Sequence, residues 1–388
     1  MKFIAKTLEG LEQTLAEELT DLGAEDVTII KRAVLFSGNI VMLYRANLML
    51  RTCLRILVFV KEFIIASEDE LYAEVKKIHW EDYFSLEETF AIDSVVSSEK
   101  FRHANYMSLK AKDAIVDRFR EKYGSRPNVD TRDPALRINI HIRNTTVTLS
   151  LDSSGSSLHM RNYRKRVTEA PLNEVLAAGL VLLSGWDKMT MLIDPMCGSG
   201  TIICEAARIA ANIPPQDPER EFGFKKWRNF DPVLYQMVVD EELAKVKTSE
   251  LPEIKGYDIS SKAIEYATVN VQTAKLSDHI KLSEEDFFYQ EGEENAFLLF
   301  NPPYDERLKE KDICDFYSHI GDKLKHAFPG CTAWILSGHI EAMKHIGLKP
   351  SKKYHLLNGS IPSLFARFDM YAGSKKQKWK DKYGDQQS

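Results

Sequence analysis

The chain has 388 residues, 44% hydrophobic and 28% charged, which is typical of a globular protein and too long for one ordinary domain. Its net charge of −5 at first argues against a nucleic-acid partner. The N-terminus lacks a signal peptide's apolar core, and no apolar run reaches the roughly 20 residues of a membrane span. The five cysteines form no C-x-x-C pair, which argues against a metal site and a disulfide framework. We therefore expect a cytoplasmic protein with reduced thiols and no membrane contact.

The charge is unevenly distributed along the chain. From Lys100 to Arg166 there are 15 Lys and Arg residues against 6 Asp and Glu residues, a net +9, so the remainder carries −14. Such asymmetry is typical of a polyanion-binding part joined to a neutral or acidic part. A basic face that is merely solvated is the alternative. The distribution therefore keeps a nucleic-acid partner open despite the negative total.

Residues 1–65 alternate strand and helix signals, and this order predicts a small α+β sandwich. Residues 66–165 repeat the pattern in another form and contain most of the basic segment. The predicted elements are strand 3–5, helix 11–22, strands 27–30 and 34–37, helix 40–50, strand 56–65, helix 71–78, strand 89–96, helix 107–123 and strands within 136–151. The run Ser153–Ser157 contains only serine and glycine, so we expect a linker there.

Residues 166–374 form a third region, in which apolar strands alternate with helices. The predicted strands are 191–194, 254–258, 280–282, 297–300 and 332–337, with a last pair at 354–357 and 366–371. This βαβ order predicts an α/β fold whose open parallel sheet is covered on both faces. The last pair predicts an antiparallel edge. Residues 375–388 are polar and rich in lysine, and predict a basic tail.

The sharpest motif is Asp194-Pro195-Met196-Cys197-Gly198-Ser199-Gly200-Thr201, which follows an apolar strand and opens a helix. Glycines let a backbone approach a ligand closely, and a helix N-terminus offers free N–H groups to a carboxylate or phosphate. The motif departs from the full G-x-G-x-x-G pattern of dinucleotide sites, and a tight turn without a ligand is the alternative. The cofactor-binding residues expected here are Asp194, Pro195, Cys197, Gly198, Gly200 and Thr201.

Acidic residues follow the next two predicted strands. Asp258 and Ile259 end the second strand, where an acid can accept both ribose hydroxyls of a nucleoside. Capping of the next helix is the alternative role of this position, and the two roles are compatible. Asp286 and Phe287 follow the third strand, where an acid can accept an adenine amino group while an aromatic residue contacts the ring. We therefore expect all four residues to bind a cofactor that contains a nucleoside.

The run Asn301-Pro302-Pro303-Tyr304 follows the apolar strand 297–300, and is the predicted catalytic motif. The Asn301 side-chain carbonyl and the Pro302 main-chain carbonyl can each accept one N–H bond from an amino group conjugated to a base. Two acceptors hold that nitrogen and favour the charge that grows on it in the transition state. The prolines stiffen the loop, and Tyr304 offers a stacking face to a flipped base. A proline-rich turn with an Asn cap is the alternative.

A cysteine nucleophile, as used to methylate ring carbons, is a rival mechanism. It needs an exposed thiol in the catalytic loop. Cys197 lies in the glycine motif and is better explained as a small packing residue, whereas Cys314 lies on the helix after the tetrad. The sequence therefore disfavours covalent catalysis.

Together these motifs resemble class I methyltransferases that use S-adenosylmethionine. More specifically, the chain is similar over nearly its whole length to the THUMP-domain 23S rRNA guanine-N2 methyltransferases. The residues that carry this closer resemblance are Arg161-Asn162-Tyr163-Arg164, Ala170-Pro171-Leu172-Asn173-Glu174, Asn301-Pro302-Pro303-Tyr304-Asp305-Glu306-Arg307-Leu308 and Leu357-Asn358-Gly359-Ser360-Ile361-Pro362.

The resemblance implies a ferredoxin-like domain (1–65), a THUMP RNA-binding domain (66–165), a Rossmann-like methyltransferase domain (166–374) and a tail (375–388). It implies that Gly198 and Gly200 border the methionine part of the cofactor, that Asp258 holds its ribose and Asp286 its adenine. Asn301, which also borders the cofactor, and Tyr304 would hold the target base. The implied partner is 23S rRNA or a large-subunit precursor. Some family members continue into a second methyltransferase domain, and we expect that activity to be absent here.

Three other functions remain open at this point. The tetrad serves adenine, cytosine and guanine amino groups alike, so an adenine-N6 methyltransferase on RNA or DNA is the first alternative. A non-catalytic RNA-binding factor for ribosome assembly is the second, although the intact motifs argue against it. An NAD dehydrogenase is the third, and it lacks the catalytic His or Tyr-x-x-x-Lys that it needs.

Overall fold

The computed structural model describes residues 1–167, 172–247, 249–303 and 310–371. The chain divides into two compact units. Unit 1 comprises Met1–Thr7, Leu15–Leu158 and Gln216–Glu242, and unit 2 comprises Leu8–Thr14, His159–Pro215 and Leu243–Ser388. The predicted basic tail, 375–388, lies outside the described residues.

Helices and strands alternate through most of the described residues. The helices are α1 Glu12–Asp21, α2 Ile40–Met49, α3 Glu68–Lys76, α4 Ala104–Tyr123, α5 Glu174–Ser184, α6 Thr201–Ala210, α7 Pro232–Leu243, α8 Ser261–Thr273 and α9 Glu310–Ala327. The strands are β1 Lys2–Lys6, β2 Glu25–Ile30, β3 Ala33–Ser37, β4 Arg55–Ile64, β5 Phe90–Ser97, β6 Leu136–Arg143, β7 Thr146–Asp152, β8 Leu192–Asp194, β9 Ile254–Asp258, β10 Ile280–Glu284, β11 Phe297–Phe300, β12 Thr332–Ser337, β13 Lys352–Asn358 and β14 Ile361–Asp369. Within the described ranges, no helix is both long and apolar enough to cross a bilayer.

Unit 1 contains a seven-stranded sheet in the order β2-β3-β1-β4-β7-β6-β5. Its pairs are antiparallel except for β5 and β6, which run parallel. The β4–β7 pair, with Leu57 opposite Asp152, joins the strands of residues 1–65 to those of residues 66–165. The two α+β regions expected from the sequence therefore share one continuous sheet.

The core of unit 1 includes a segment from late in the chain. Phe224 lies 4.8 Å from the ring of Tyr44 on α2, and Tyr235 meets the same ring edge-on at 5.6 Å. The Tyr44 hydroxyl accepts a 3.0 Å hydrogen bond from the Asp231 N–H. Residues Gln216–Glu242 thus complete the core of unit 1, although they stand within the third region predicted from the sequence.

The expectation of a linker at Ser153–Ser157 was wrong. Ser153 and Ser154 are fully buried in unit 1. The Ser153 hydroxyl donates to the Ile56 carbonyl at 2.8 Å, and the Ser154 hydroxyl donates to the Asn47 side chain at 2.7 Å. A run of serine and glycine predicts a linker because small polar residues are common in loops. Here, however, the serine hydroxyl groups form hydrogen bonds with buried polar atoms.

Unit 2 confirms the predicted Rossmann-like α/β fold. Its sheet has the order β10-β9-β8-β11-β12-β14-β13, with parallel pairing from β10 to β12. β14 pairs antiparallel with both β12 and β13, so the expected antiparallel hairpin is present and β13 forms the sheet edge. The strand order reverses between β8 and β11. Ligands of open α/β sheets bind at the carboxyl ends of the strands at such a reversal.

Candidate active site

The glycine loop, residues 195–200, connects β8 to α6 at the strand-order reversal. Gly198 and Gly200 have φ of +54° and +80°, a left-handed conformation that favours glycine over residues with a Cβ. The loop is closed by a 2.8 Å hydrogen bond from the Gly200 N–H to the Cys197 carbonyl. The sequence-predicted strand, turn and helix are therefore present.

The loop leaves room and hydrogen-bond donors for a ligand. Apart from Gly198 and its two chain neighbours, no described residue has an atom within 4 Å of the point where a Cβ at Gly198 would stand. Gly200 is the N-cap of α6 and offers no side-chain cap, so the first N–H groups of this helix are not satisfied in that way. Free amides at a helix N-terminus suit a carboxylate. Thr201 is the first residue of α6, and its side chain is buried.

Asp258, at the end of β9, anchors the loop from the neighbouring strand. Its Oδ2 accepts a 2.9 Å hydrogen bond from the Gly198 N–H, and its Oδ1 accepts one from the Ser260 N–H at 2.9 Å. The helix cap of α8 is Ser260, whose hydroxyl accepts from the Ala263 N–H at 3.3 Å. The alternative role of Asp258 as the helix cap is thus taken by Ser260.

Asp194 is the last residue of β8 and carries a buried carboxyl group. It is 1% exposed, and its Oδ1 accepts a 3.1 Å hydrogen bond from the Met196 N–H. Burial raises the pKa of Asp194 well above its ordinary range, and the negative charge of Asp258 raises it further. A nearby positive charge would favour the ionised form of this carboxyl group.

The thiols around the site do not suit covalent catalysis. Cys197 is buried, and burial followed by the charges of Asp194 and Asp258 raises the pKa of its thiol. Burial also raises the pKa of Cys204 on α6. A thiol that resists ionisation is a poor nucleophile. Pro195 is buried beside Cys197, so both side chains serve packing.

Ile259 is a large apolar residue that is 70% exposed, whereas Phe287 is buried. It follows Asp258 directly, at the carboxyl end of β9. The position combines a carboxylate with an open apolar surface, which suits a ribose joined to an aromatic base.

Asp286 and Phe287 follow β10 and behave differently. Asp286 is partly exposed, and its Oδ1 accepts a 2.9 Å hydrogen bond from the Phe288 N–H. The Phe287 ring is buried and packs 5.9 Å from the rings of both Phe300 and Phe328. With its ring in the core, residue 287 has only main-chain atoms left for contact with a ligand.

Asn301 follows β11, the strand next to β8 across the reversal. Its Oδ1 is buried and accepts no hydrogen bond from any described residue. Such an unsatisfied acceptor is unusual in a folded protein and calls for a donor from outside the described residues. Pro302 is buried and Pro303 is exposed, whereas Tyr304 lies outside the described residues.

Two residues of the site region were missed by the sequence reasoning. Asn270 on α8 is fully buried, and its Nδ2 donates to the Ser199 carbonyl of the glycine loop at 2.9 Å. Glu205 on α6 is also fully buried; it pairs with Arg161 and accepts a 2.8 Å hydrogen bond from the Tyr163 hydroxyl. Neither belongs to a motif, and only the Arg161–Arg164 run pointed toward this cluster. Ala170, Pro171 and Asp305–Leu308 of the other family-specific runs lie outside the described residues.

The basic segment is partly neutralised by acids from elsewhere in unit 1. Arg118 forms a bidentate pair with Glu81, with both contacts at 2.8 Å, and Lys122 binds the same carboxylate at 2.6 Å. Arg137 pairs with Asp93 at 3.0 Å. Exposed cations without a described ion pair include Arg126, Arg132 and Arg143. The count of +9 therefore overstates the free positive charge.

Among the described side chains, no group of three or more His, Cys, Asp or Glu residues is arranged to hold a metal.

The strand order of unit 2, the glycine loop after β8 and the Asn-Pro-Pro run after β11 define a class I methyltransferase domain. The chain belongs to the family described as RMKL-like, methyltransferase domain, whose model matches residues 161–367. Two further models match the N-terminal part: the RlmL ferredoxin-like domain at residues 2–57 and the THUMP domain at residues 66–152.

Similar proteins extend over most of the chain. The ribosomal RNA large subunit methyltransferase K/L of Syntrophotalea carbinolica is 37% identical over 95% of this chain and 54% of its own length. This chain thus spans about half the length of that relative. A protein of Synechocystis sp. named as an RNA methyltransferase is 36% identical and matched over 97% of its length. The crystal structure of SMU.472, described as a methyltransferase complexed with SAH, superposes with a TM-score of 0.86 at 30% identity, covering 96% of this chain and 99% of that one.

Proposed function

We propose that this chain uses S-adenosylmethionine to methylate the N2 amino group of a guanine in 23S rRNA, as free RNA or in a large-subunit precursor. The observation that carries the proposal is the buried Oδ1 of Asn301, which accepts no hydrogen bond from a described residue and follows β11, the strand next to β8. A bound base amino group would supply the missing donor. The name of the Syntrophotalea relative supports large-subunit rRNA, and the match to the THUMP domain supports an RNA substrate.

The residues of the site support S-adenosylmethionine as the cofactor. Asp258 and the exposed side chain of Ile259 suit the ribose and the adenine, and Asp286 suits the adenine amino group. The open space at Gly198 and the uncapped N-terminus of α6 suit the methionine carboxylate. The SAH complex of the similar structure supports the same cofactor. We assign cofactor contacts to these residues and to Asp194, Pro195, Cys197, Gly200, Thr201, Phe287 and Asn301.

In this proposal the carboxylate of Asp194 interacts electrostatically with the cofactor. Its carboxyl group is costly to ionise, because it is buried and lies near the charge of Asp258. The cofactor carries a positive sulfonium and an ammonium group, and either cation favours the ionised carboxylate. Asp194 and Asp258 together would thus select a cationic ligand over a neutral one.

The bound cofactor supplies a methyl group on a positively charged sulfur, which is already reactive toward a nucleophile. The chain therefore needs to position the acceptor nitrogen and stabilise its growing charge. Asn301 Oδ1 and the Pro302 carbonyl would each accept one N–H of the amino group. Tyr304 would stack on the flipped guanine, and Pro303 would stiffen the loop. No protein thiol is needed.

The proposal is tested by analysing the nucleosides of rRNA from cells that lack this protein. Mass spectrometry should show the loss of one N2-methylguanosine from 23S rRNA, restored when the wild-type gene returns but not when the gene encodes N301A. Loss of N6-methyladenosine instead would support the adenine alternative. An unchanged nucleoside profile would contradict an rRNA methyltransferase.

A further inference from the structure

The side chain of Asn270 joins two separate segments of the main chain in unit 2. Its Oδ1 accepts hydrogen bonds from the Lys165 N–H at 2.8 Å and the Arg166 N–H at 3.0 Å. Its Nδ2 donates to the Arg166 carbonyl at 2.8 Å and to the Ser199 carbonyl at 2.9 Å. A side-chain amide has two acceptor positions and two donor hydrogens, so its full capacity is used. We name residues 161–166 the strap.

The strap is also fixed at its other end. Arg161 pairs with Glu205 on α6, where both side chains are fully buried, and Tyr163 donates to the same carboxylate at 2.8 Å. Arg164 pairs with Glu174 on α5 at 3.1 Å. The strap is therefore held by α5, α6 and α8, and it approaches the glycine loop through Asn270.

The outward part of the strap is basic. The side chains of Lys165 and Arg166 are exposed, whereas Arg161 and Tyr163 are buried. Asn270 holds the main chain of this basic pair and the main chain of Ser199 with one rigid amide. Ser199 stands between Gly198 and Gly200, so one amide contacts both segments: three of its hydrogen bonds reach Lys165 and Arg166, and one reaches the glycine loop.

We propose that Asn270 is a positioning residue that couples cofactor binding at the glycine loop to capture of RNA phosphate groups by Lys165 and Arg166. This inference rests on the proposed function, because it needs both ligands to bind. Cofactor contacts with the loop would further restrict the strap through Asn270, so Lys165 and Arg166 would lose less conformational entropy when they bind phosphate groups. Coupling of this kind is reciprocal, so RNA tightens cofactor binding by the same factor.

The test measures the affinity of the full chain for deproteinised 23S rRNA with and without saturating SAH. For the wild type we expect SAH to tighten RNA binding about 5-fold or more, within the usual range of allosteric coupling. N270D retains acceptors for the two strap amides but places a carboxylate against the Ser199 and Arg166 carbonyls. Its RNA affinity should become nearly independent of SAH, with a ratio close to 1.

T268A is the matched control. Thr268 lies on the same helix, and its hydroxyl donates to the Ile264 carbonyl of that helix at 2.8 Å. We expect T268A to keep the wild-type ratio. A merely structural role of Asn270 would lower thermal stability or both affinities and leave the ratio unchanged, which would overturn the proposal.

The double variant K165Q/R166Q provides a second test, since both side chains are exposed and their replacement spares the buried contacts. It should bind SAH as the wild type does, bind RNA more weakly, and lose the effect of SAH on RNA affinity. A variant that retains the wild-type ratio, or a wild-type ratio of 1, would refute the coupling. Absence of any SAH or RNA binding would instead refute the proposed function.

Discussion

The main-chain N–H of Gly198 donates a 2.9 Å hydrogen bond to the carboxylate of Asp258, which ties the glycine loop after β8 to the end of β9. One oxygen of this carboxylate holds the loop, while the group lies beside the exposed side chain of Ile259. Asp258 therefore has both a structural contact and a position suited to the ribose of the proposed cofactor.

We predict that D258A weakens binding of S-adenosylmethionine by about 10–150-fold, because a hydrogen bond to a charged group contributes roughly 1.5–3 kcal/mol. Isothermal calorimetry on the full chain measures this directly. S260A is the control: it removes the cap of α8 and costs about 0.5–2 kcal/mol of stability, but leaves the carboxylate in place. Equal affinities of D258A and the wild type would remove Asp258 from the site.

The raised pKa of Asp194 predicts how the stability of the protein changes with pH. Its pKa is raised in the folded protein, so the native state binds more protons than the unfolded chain above an unfolded pKa of about 3.9. The contribution of Asp194 to the free energy of unfolding therefore falls as the pH rises from the unfolded pKa toward the raised pKa of the folded protein. D194N has no ionisable group at this position, so it does not lose stability in this way. Its melting temperature should exceed that of the wild type by the largest amount near pH 7 and by less toward pH 4.

Asp187 is the matched control of opposite sign. Its carboxylate accepts hydrogen bonds from the Thr190 and Met189 N–H groups, and these bonds lower its pKa. Its contribution to stability is present above the unfolded pKa and is lost as the pH falls. D187N should therefore melt below the wild type near pH 7, with the difference shrinking in acid. If D194N also melted lower at pH 7, another group would have to compensate the buried carboxylate.

The free cations of unit 1 should govern the salt dependence of RNA binding. We predict that R126Q/R132Q/R143Q lowers affinity for 23S rRNA and reduces the slope of log K against log salt by about one for each phosphate group that is no longer bound. R118Q should leave the slope nearly unchanged and lower stability instead, because the Arg118 guanidinium is engaged with Glu81. Filter binding at several salt concentrations compares the two variants. If the wild type and both variants had the same slope, the RNA-binding surface would not include Arg126, Arg132 and Arg143.

Asn301 and Tyr304 should affect chemistry more than cofactor binding. N301A removes one of two proposed acceptors, and loss of one preorganised group of this kind lowers turnover about 10²–10³-fold. N301D should be milder if its carboxylate still accepts the bond. Y304F should be mild because the stacking face survives, whereas Y304A should be severe. Single-turnover methylation rates give the comparison, and near-normal rates for both alanine variants would make the tetrad structural.

The sequence predicted the parts of the fold that depend on local pattern. Apolar runs located the strands β8 to β12, and the glycines located the turn between β8 and α6. The rest depends on partners far away in the chain. Ser153 and Ser154 are buried because they meet Ile56 and Asn47, and the aromatic residues of 216–242 belong to the core around Tyr44.

The same distinction applies to the candidate site. Residues in motifs, such as Gly198, Asp258 and Asn301, could be named in advance because their chemistry follows from residue type and position after a strand. Asn270 could not, since an asparagine within a helix signals nothing until its amide is seen to meet Ser199 and the strap. The buried position of the Phe287 ring likewise follows from packing against Phe300 and Phe328.

The most direct test of the central claim is methylation of deproteinised 23S rRNA by the purified chain, with S-adenosylmethionine carrying a deuterated methyl group. The RNA should come from cells that lack this protein, so that the target position is unmodified. Mass spectrometry of the digested RNA should show labelled N2-methylguanosine with the wild type and about 10²–10³-fold slower labelling with N301A. Labelled N6-methyladenosine, or equal labelling by the two proteins, would contradict the account.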